Sequence, residues 1–273
     1  IAEALGYETN FLDGIGPVLE KPLRDKNEIE NLPDEFPFER ADYTLKALEL
    51  TSRELTRTPV IGFSGAPWTL AKYMVDGRNL KSGRFIKSMM NDEPELLKKL
   101  LEKLTGAVIQ YCRAQLESGA DLIQIFDSSA SVLSEDDYLK YALPYAADAI
   151  SELKKEGAPV IYFSLGLGVW LEHLPKLGAD VISVDWTVSP EKVRSSVPKE
   201  TALQGNLDPS ALYTDPQKYV NTIDRMISNL GRYKNYIANL GHGILPDIPV
   251  ENVEKFISLV KERSKIIYAD NKS

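Results

Sequence analysis

From Pro59 onward the chain repeats one phrase: a short apolar β-branched run, a polar or Gly-containing turn, then an amphipathic stretch. No other feature restricts the fold as much, because strands and helices alternating without linkers build a parallel α/β domain. The expected strands are 60–64, 121–126, 160–164, 181–185, 201–204 and 236–239. Their cores, such as Leu122-Ile-Gln-Ile-Phe126 and Val181-Ile-Ser-Val184, are apolar with little alternation, as in strands covered on both faces.

The helices carry their own punctuation. Pro94 stands at a helix start behind Asp92 and Glu93, which suit the positive end of the dipole. Leu97, Leu100, Leu101, Leu104, Val108, Cys112 and Leu116 then recur at three- and four-residue spacing until Gly119 stops the run. Ser134 and Asp137 resemble a capping box opening a helix over 138–153. Pro249 opens the last helix, with Val250, Val253, Phe256, Ile257 and Val260 on one face. Residues 6–37 differ: Gly14, Gly16, Pro17, Pro22, Pro33 and Pro37 predict loops with a short hairpin.

Six βα units predict one domain over 1–273. A (β/α)8 barrel, which takes about 250 residues, and a doubly wound open sheet both fit the rhythm. Composition narrows the function instead. One cysteine in 273 residues excludes an intrachain disulfide, and two histidines beside it are too few for a Cys- or His-rich zinc site. Thirty-two basic against 40 acidic residues leave a net charge of −8, so no general grip on nucleic acid or anionic lipid is expected. No apolar run approaches the roughly 20 residues of a membrane helix, and no signal peptide opens the chain. The first residue, Ile1, begins in mid-phrase. The expectation is a soluble cytoplasmic protein whose leading βα portion lies outside this chain.

In either architecture the residues directly after each strand carry the function. Here they are Gly65-Ala-Pro-Trp68, Asp127-Ser128-Ser129, Leu165-Gly-Leu-Gly168, Asp185-Trp186, Gly205-Asn-Leu-Asp208 and Asn239-Leu-Gly-His242. Gly166 and Gly168, with Asp185 about 20 residues on, imitate a dinucleotide fingerprint, but Leu171 stands where the third glycine belongs. A turn needing positive φ is the favoured reading. His242, flanked by Gly241 and Gly243, fits a ligand contact that donates to a carboxylate or carries charge near neutral pH. His173 falls within a helix and reads as structural. Asp127 and Ser128 fit a turn or cap as well as a substrate contact. Cys112, on an apolar helix face, is expected to be inert. The pairs Lys98-Lys99 and Lys154-Lys155 read as solvated helix faces.

Five phrases then carry a resemblance: GFSGAPWTLAKYMVDG (62–77), LIQIFDSSA (122–130), VDWTVSP (184–190), LQGNLDP (203–209) and NLGHGILPD (239–247). In this order and spacing the chain resembles the uroporphyrinogen decarboxylase family of haem biosynthesis, from Ile1 to the last helix. The resemblance implies a (β/α)8 TIM-type barrel that forms homodimers with facing clefts. It implies removal of the carboxyl groups of four acetate side chains of uroporphyrinogen, giving coproporphyrinogen and CO2. It implies no cofactor: no metal, flavin or pyridoxal phosphate. By the same resemblance Tyr73, Ser128 and His242 contact substrate, and Phe63 and Gly65 line the cleft against the macrocycle, with the strand ends converging on it.

Departures accompany the match. The family's arginine-rich loop and the aspartate under the pyrrole nitrogens precede the phrase found here as Ala4-Leu5-Gly6, so no catalytic residue is assigned and this chain alone is expected to be inactive. Leu165 stands where the family more often carries lysine. Two other readings remain: a zinc-using cobalamin-linked methyltransferase, for which Cys112 alone supplies no ligand set, and a catalytically inactive tetrapyrrole-binding or scaffold protein. The protein is expected to bind no stoichiometric zinc; elemental analysis returning about one zinc per chain would end the decarboxylase reading.

Overall fold

The computed structural model describes residues 1–12, 16–77, 83–166, 168 and 170–270. Gly14, in the stretch read from sequence as loops, and Leu167, between the two glycines of the expected turn, lie outside them, as does Val169. The chain divides into two compact units, Ile1–Tyr162 and Phe163–Ser273.

In the first unit, β1 (Thr9–Leu12) and β2 (Gly16–Leu19) pair antiparallel, the hairpin expected in the Pro- and Gly-rich stretch. A helix the sequence did not announce follows: α1 (Lys26–Glu30), begun by the Asp25 side chain, which accepts from the Asn27 and Glu28 N–H groups. Then come α2 (Asp42–Glu54), β3 (Ile61–Gly65), α3 (Pro67–Asp76), α4 (Arg84–Asp92), α5 (Pro94–Glu117) and β4 (Leu122–Asp127). β3 and β4 run parallel, with Ile61 opposite Leu122 and Gly65 opposite Phe126. Leu97, Leu100, Leu101, Leu104 and Val108 of α5 are buried as their period requires, together with Cys112, whose thiol burial pushes up to about 12, while Leu116 is only half-buried. That thiol is inert, as expected.

The helix expected over 138–153 is two helices, α6 (Glu135–Tyr141) and α7 (Leu143–Lys154). Pro144 lies in the first turn of α7; lacking an N–H, it cannot continue α6, and the chain bends at Ala142. Ser134 does cap α6, accepting from the Asp137 N–H at 3.2 Å.

β5 (Val160–Ser164) spans the boundary, and β6 (Val181–Val184), α8 (Pro190–Ser196), β7 (Ala202–Leu207), α9 (Val220–Asn229), β8 (Tyr236–Leu240) and α10 (Val250–Asp270) follow. β6 pairs parallel with β7, and β7 with β8. β7 runs three residues beyond the sequence expectation, through Gly205-Asn-Leu207. Gly205 is no strand-breaker here. A Cβ on it would stand 2.5 Å from the Val184 carbonyl oxygen, so only glycine fits so close to β6. His173 is not inside a helix but precedes a 3-10 turn, Leu174–Leu177. On α10 the buried face is narrower than expected: Phe256 is buried, whereas Val250 and Ile257 are exposed.

A buried ion pair on α3 also fastens α4 through its carboxylate. Lys72 lies 3.4 Å from Asp76, both almost fully buried, and Asp76 also accepts from the Phe85 and Ile86 N–H groups at 3.0 and 3.3 Å, capping α4 from outside. The Arg24 guanidinium closes the cluster, donating to the Val75 carbonyl at 2.8 Å and lying 3.4 Å above the Phe85 ring. Asp76→Ala takes the counter-charge from a buried lysine and the partner from two amides. It is expected to destabilise the protein by about 3–5 kcal/mol, read by urea denaturation.

Candidate active site

Three of the residues singled out from sequence belong to β3 and β4: Phe63 in the middle of β3, Gly65 at its end and Ser128 just after β4. Phe63 is 62% exposed on β3, its ring edge-on to Phe126 at 6.1 Å. Its own N–H and C=O are both held by the buried Gln115 side chain of α5, at 2.8 and 3.0 Å. The ring is thus an exposed apolar platform on a fixed backbone. Gly65 ends the strand, and the Ala66 N–H prolongs the ladder to the Phe126 carbonyl at 2.8 Å. Ser128, half-buried, follows β4 directly.

Tyr73 lies on α3, one turn beyond Thr69. Its hydroxyl is buried and has no hydrogen-bond partner among the described residues. Burial raises its pKa, with Glu3 adding to the effect, so the phenol stays a donor at neutral pH.

Asp127, the last residue of β4, is completely buried. It accepts from the Thr69 hydroxyl at 2.6 Å and from the Tyr162 hydroxyl at 3.0 Å. Tyr138 stands 3.3 Å from Tyr162; since Tyr162 gives its only proton to Asp127, Tyr138 donates to Tyr162. Thr69 in turn accepts from the Ser129 N–H at 3.1 Å, and the Trp68 indole donates to the Ser129 carbonyl at 3.1 Å. Burial raises the pKa of Tyr162 far above the ordinary phenol value, so it remains a donor.

The second unit holds His242. It is exposed after β8, with Phe163 and Trp186 set edge-to-face against its ring at 5.9 and 6.2 Å. Gly241 makes the approach possible, because a Cβ there would stand 2.5 Å from the Trp186 nitrogen. Asp185, 2% exposed, accepts from the Gly166 N–H and, at 2.7 Å, from the Thr187 N–H. The Asn206 amide donates to the Asp185 and Val188 carbonyls at 3.0 and 2.8 Å. Gly166 has φ +77°, the turn expected of it, and Asp185 closes that turn.

Comparison with known proteins agrees with the strand-end phrases. The family described as "Uroporphyrinogen decarboxylase (URO-D)" matches residues 1–263. The chain belongs to that family. It is 38% identical to the uroporphyrinogen decarboxylase of Mannheimia succiniciproducens over 270 residues, 97% of this chain and 76% of the relative. With the enzyme of Alkalilimnicola ehrlichii it shares 40% over 269 residues, 97% and 74% of the two chains. A methyltransferase from Methanosarcina mazei superposes with TM-score 0.79 at 22% identity, over 96% of this chain and 77% of the other. That likeness bears on the fold, which is α/β of the TIM-barrel class. The chain is an enzyme of the decarboxylase type, acting on a tetrapyrrole. No helix among the described residues is long and apolar enough to cross a membrane.

The buried partners of Asp127 are what sequence reasoning missed. The signal was present as an aspartate ending an apolar run and a tyrosine, Tyr162, inside another. Burial pushes the Asp127 carboxyl up from 3.8 to about 6, against the Thr69 and Tyr162 hydrogen bonds, which lower it. Between those values the native protein holds a proton that the unfolded chain has released. Asp127's contribution to stability therefore falls as pH rises from about 4 to about 6, and is level above. Asp127→Asn removes that dependence. Wild-type minus variant unfolding free energy is expected to drop by about 2–3 kcal/mol from about pH 4 to about pH 7; a constant difference would contradict the raised value.

Proposed function

We propose that the enzyme removes the carboxyl groups of the four acetate side chains of uroporphyrinogen, giving coproporphyrinogen and CO2. Loss of CO2 breaks the bond between the carboxyl and methylene carbons and leaves an electron pair behind. The attached pyrrole, once protonated, accepts that pair; protonation of the methylene carbon completes the methyl group, and the ring then gives up the proton it took. The substrate itself supplies the electron sink, and no metal or organic cofactor is part of the reading. The protein's share is grip, orientation and electrostatics.

The observation that carries this reading is the buried Tyr73 hydroxyl, a donor without an acceptor among the described residues. A carboxylate of the substrate is an acceptor that satisfies it. Tyr73 and Ser128 are taken to donate to substrate carboxylates, His242 to meet another, and Phe63 with Gly65 to lie against the macrocycle. A protein of net charge −8 that binds an octa-anion requires attraction to be local, supplied by such donors. The same reading has the enzyme act as a cytoplasmic homodimer on a small molecule, independent of nucleic acid or membrane.

His242→Ala is expected to weaken substrate binding by about 1–3 kcal/mol, and Tyr73→Phe and Ser128→Ala by about 0.5–1.5 kcal/mol each. Tyr73→Phe carries a second signature. Removing an unpaired buried hydroxyl leaves the unliganded protein as stable as before or more so, while binding falls. Steady-state decarboxylation with porphyrinogen binding and thermal unfolding tests all three variants of the full-length gene product. Unchanged kinetics in His242→Ala removes that residue from the site, and binding without turnover in the unsubstituted protein favours a tetrapyrrole-binding scaffold.

A further inference from the structure

We propose that Asp127 is a positioning residue for the decarboxylation: its buried carboxylate locks the first turn of α3 to the end of β4 and so sets Tyr73 and Ser128 relative to each other. The inference rests on the substrate-binding reading of those two residues.

The geometry is a short chain of hydrogen bonds with no slack. Asp127 closes β4, and Ser128 follows it. One carboxylate oxygen takes the Thr69 hydroxyl proton at 2.6 Å, and the Thr69 oxygen accepts from the Ser129 N–H at 3.1 Å. The peptide linking Ser128 to Ser129 is therefore tied to helix α3 through a side chain that Asp127 orients. Thr69 and Tyr73, four residues apart, share one face of that helix, so fixing the first fixes the azimuth of the second. The Trp68 indole, donating to the Ser129 carbonyl at 3.1 Å, fastens the same loop from the adjacent position. The other carboxylate oxygen takes the Tyr162 proton at 3.0 Å, with Tyr138 behind it, so the anchor cannot swing toward β5 or α6.

Packing alone does not call for this arrangement. A completely buried carboxylate carries a desolvation cost that an apolar side chain of similar size would avoid. The Thr69 and Tyr162 hydrogen bonds set directions: one toward the helix bearing Tyr73, one toward the next strand. Asp127 touches no reacting atom in this scheme. It acts through Tyr73 and Ser128, and its removal should alter what those residues do more than what the fold does.

The test is a mutant cycle on the full-length gene product, read as kcat and KM for uroporphyrinogen beside thermal unfolding. Asp127→Asn and Thr69→Val are each expected to lower kcat/KM about tenfold, mainly through KM, and Thr69→Ser, which keeps the hydroxyl, to restore most of it. In a Tyr73→Phe, Ser128→Ala background, Asp127→Asn should cost less than about threefold, because the groups it positions are gone. An equal loss in both backgrounds, or no loss in either, overturns the proposal. If Asp127→Asn fails to fold, the Thr69→Val and Thr69→Ser pair decides by the same criterion. Wild-type kcat/KM in the Tyr73→Phe, Ser128→Ala protein itself overturns the site reading and the positioning role with it. Normal positioning variants beside an impaired double variant overturn the positioning role alone.

Discussion

A carboxylate buried at the end of a parallel strand has to find its hydrogen-bond donors in the connections around it, and this constraint organises both units. Asp127 draws on Thr69 of the preceding helix and Tyr162 of the following strand. Asp185 draws on Gly166, after the preceding strand, and on Thr187, two residues ahead. Asp127 thereby links the helix that carries Tyr73 to the strand end that carries Ser128, and Asp185 links the turn at Gly166 to the segment after β6. Loops are the variable and mobile parts of such folds. Here they are pinned from below by charges that cannot be left unsatisfied.

The strands were legible because burial on both faces leaves a continuous apolar run that few other arrangements produce. β5 matched its expected span, and most of the others differed by one residue at either end. What escaped was decided by neighbours rather than by the run itself. β7 continues through Gly205 because the Val184 carbonyl of β6 occupies the space a side chain would need, which its own sequence does not encode. The break at Ala142 was encoded, in Pro144, but the apolar spacing across it imitates a continuous helix. α1 rests on a five-residue segment and an aspartate cap, too short for periodicity to register.

The site divides along the same line. Tyr73, Ser128, His242, Phe63 and Gly65 stood out because they fall in phrases shared with a family, and the structure puts them on β3, α3 and the ends of β4 and β8. The sequence could not reveal that the Tyr73 hydroxyl finds no partner among the described residues or that Thr69 bridges helix and loop. Both depend on distances between segments about 60 residues apart. Asp127 was ambiguous for a physical reason: an aspartate after a strand is most often a turn-former, and only its complete burial separates the two cases.

Fold and chemistry part company at Cys112. The likeness to the Methanosarcina mazei methyltransferase extends over nearly the whole chain, yet at 22% identity it speaks for a shared architecture. Soft-metal chemistry needs a thiolate with access to its ion. Cys112 is buried on the core face of α5, with its thiol pushed up to about 12 and hydrogen-bonded to Ser64, so it is protonated and enclosed at neutral pH. The polar groups of the candidate site are instead hard donors: a phenol, a serine hydroxyl and an imidazole. Such a set suits carboxylates, whose charge is localised on oxygen and directional in its demands. On one architecture the identity of the side chains around the strand ends decides the reaction.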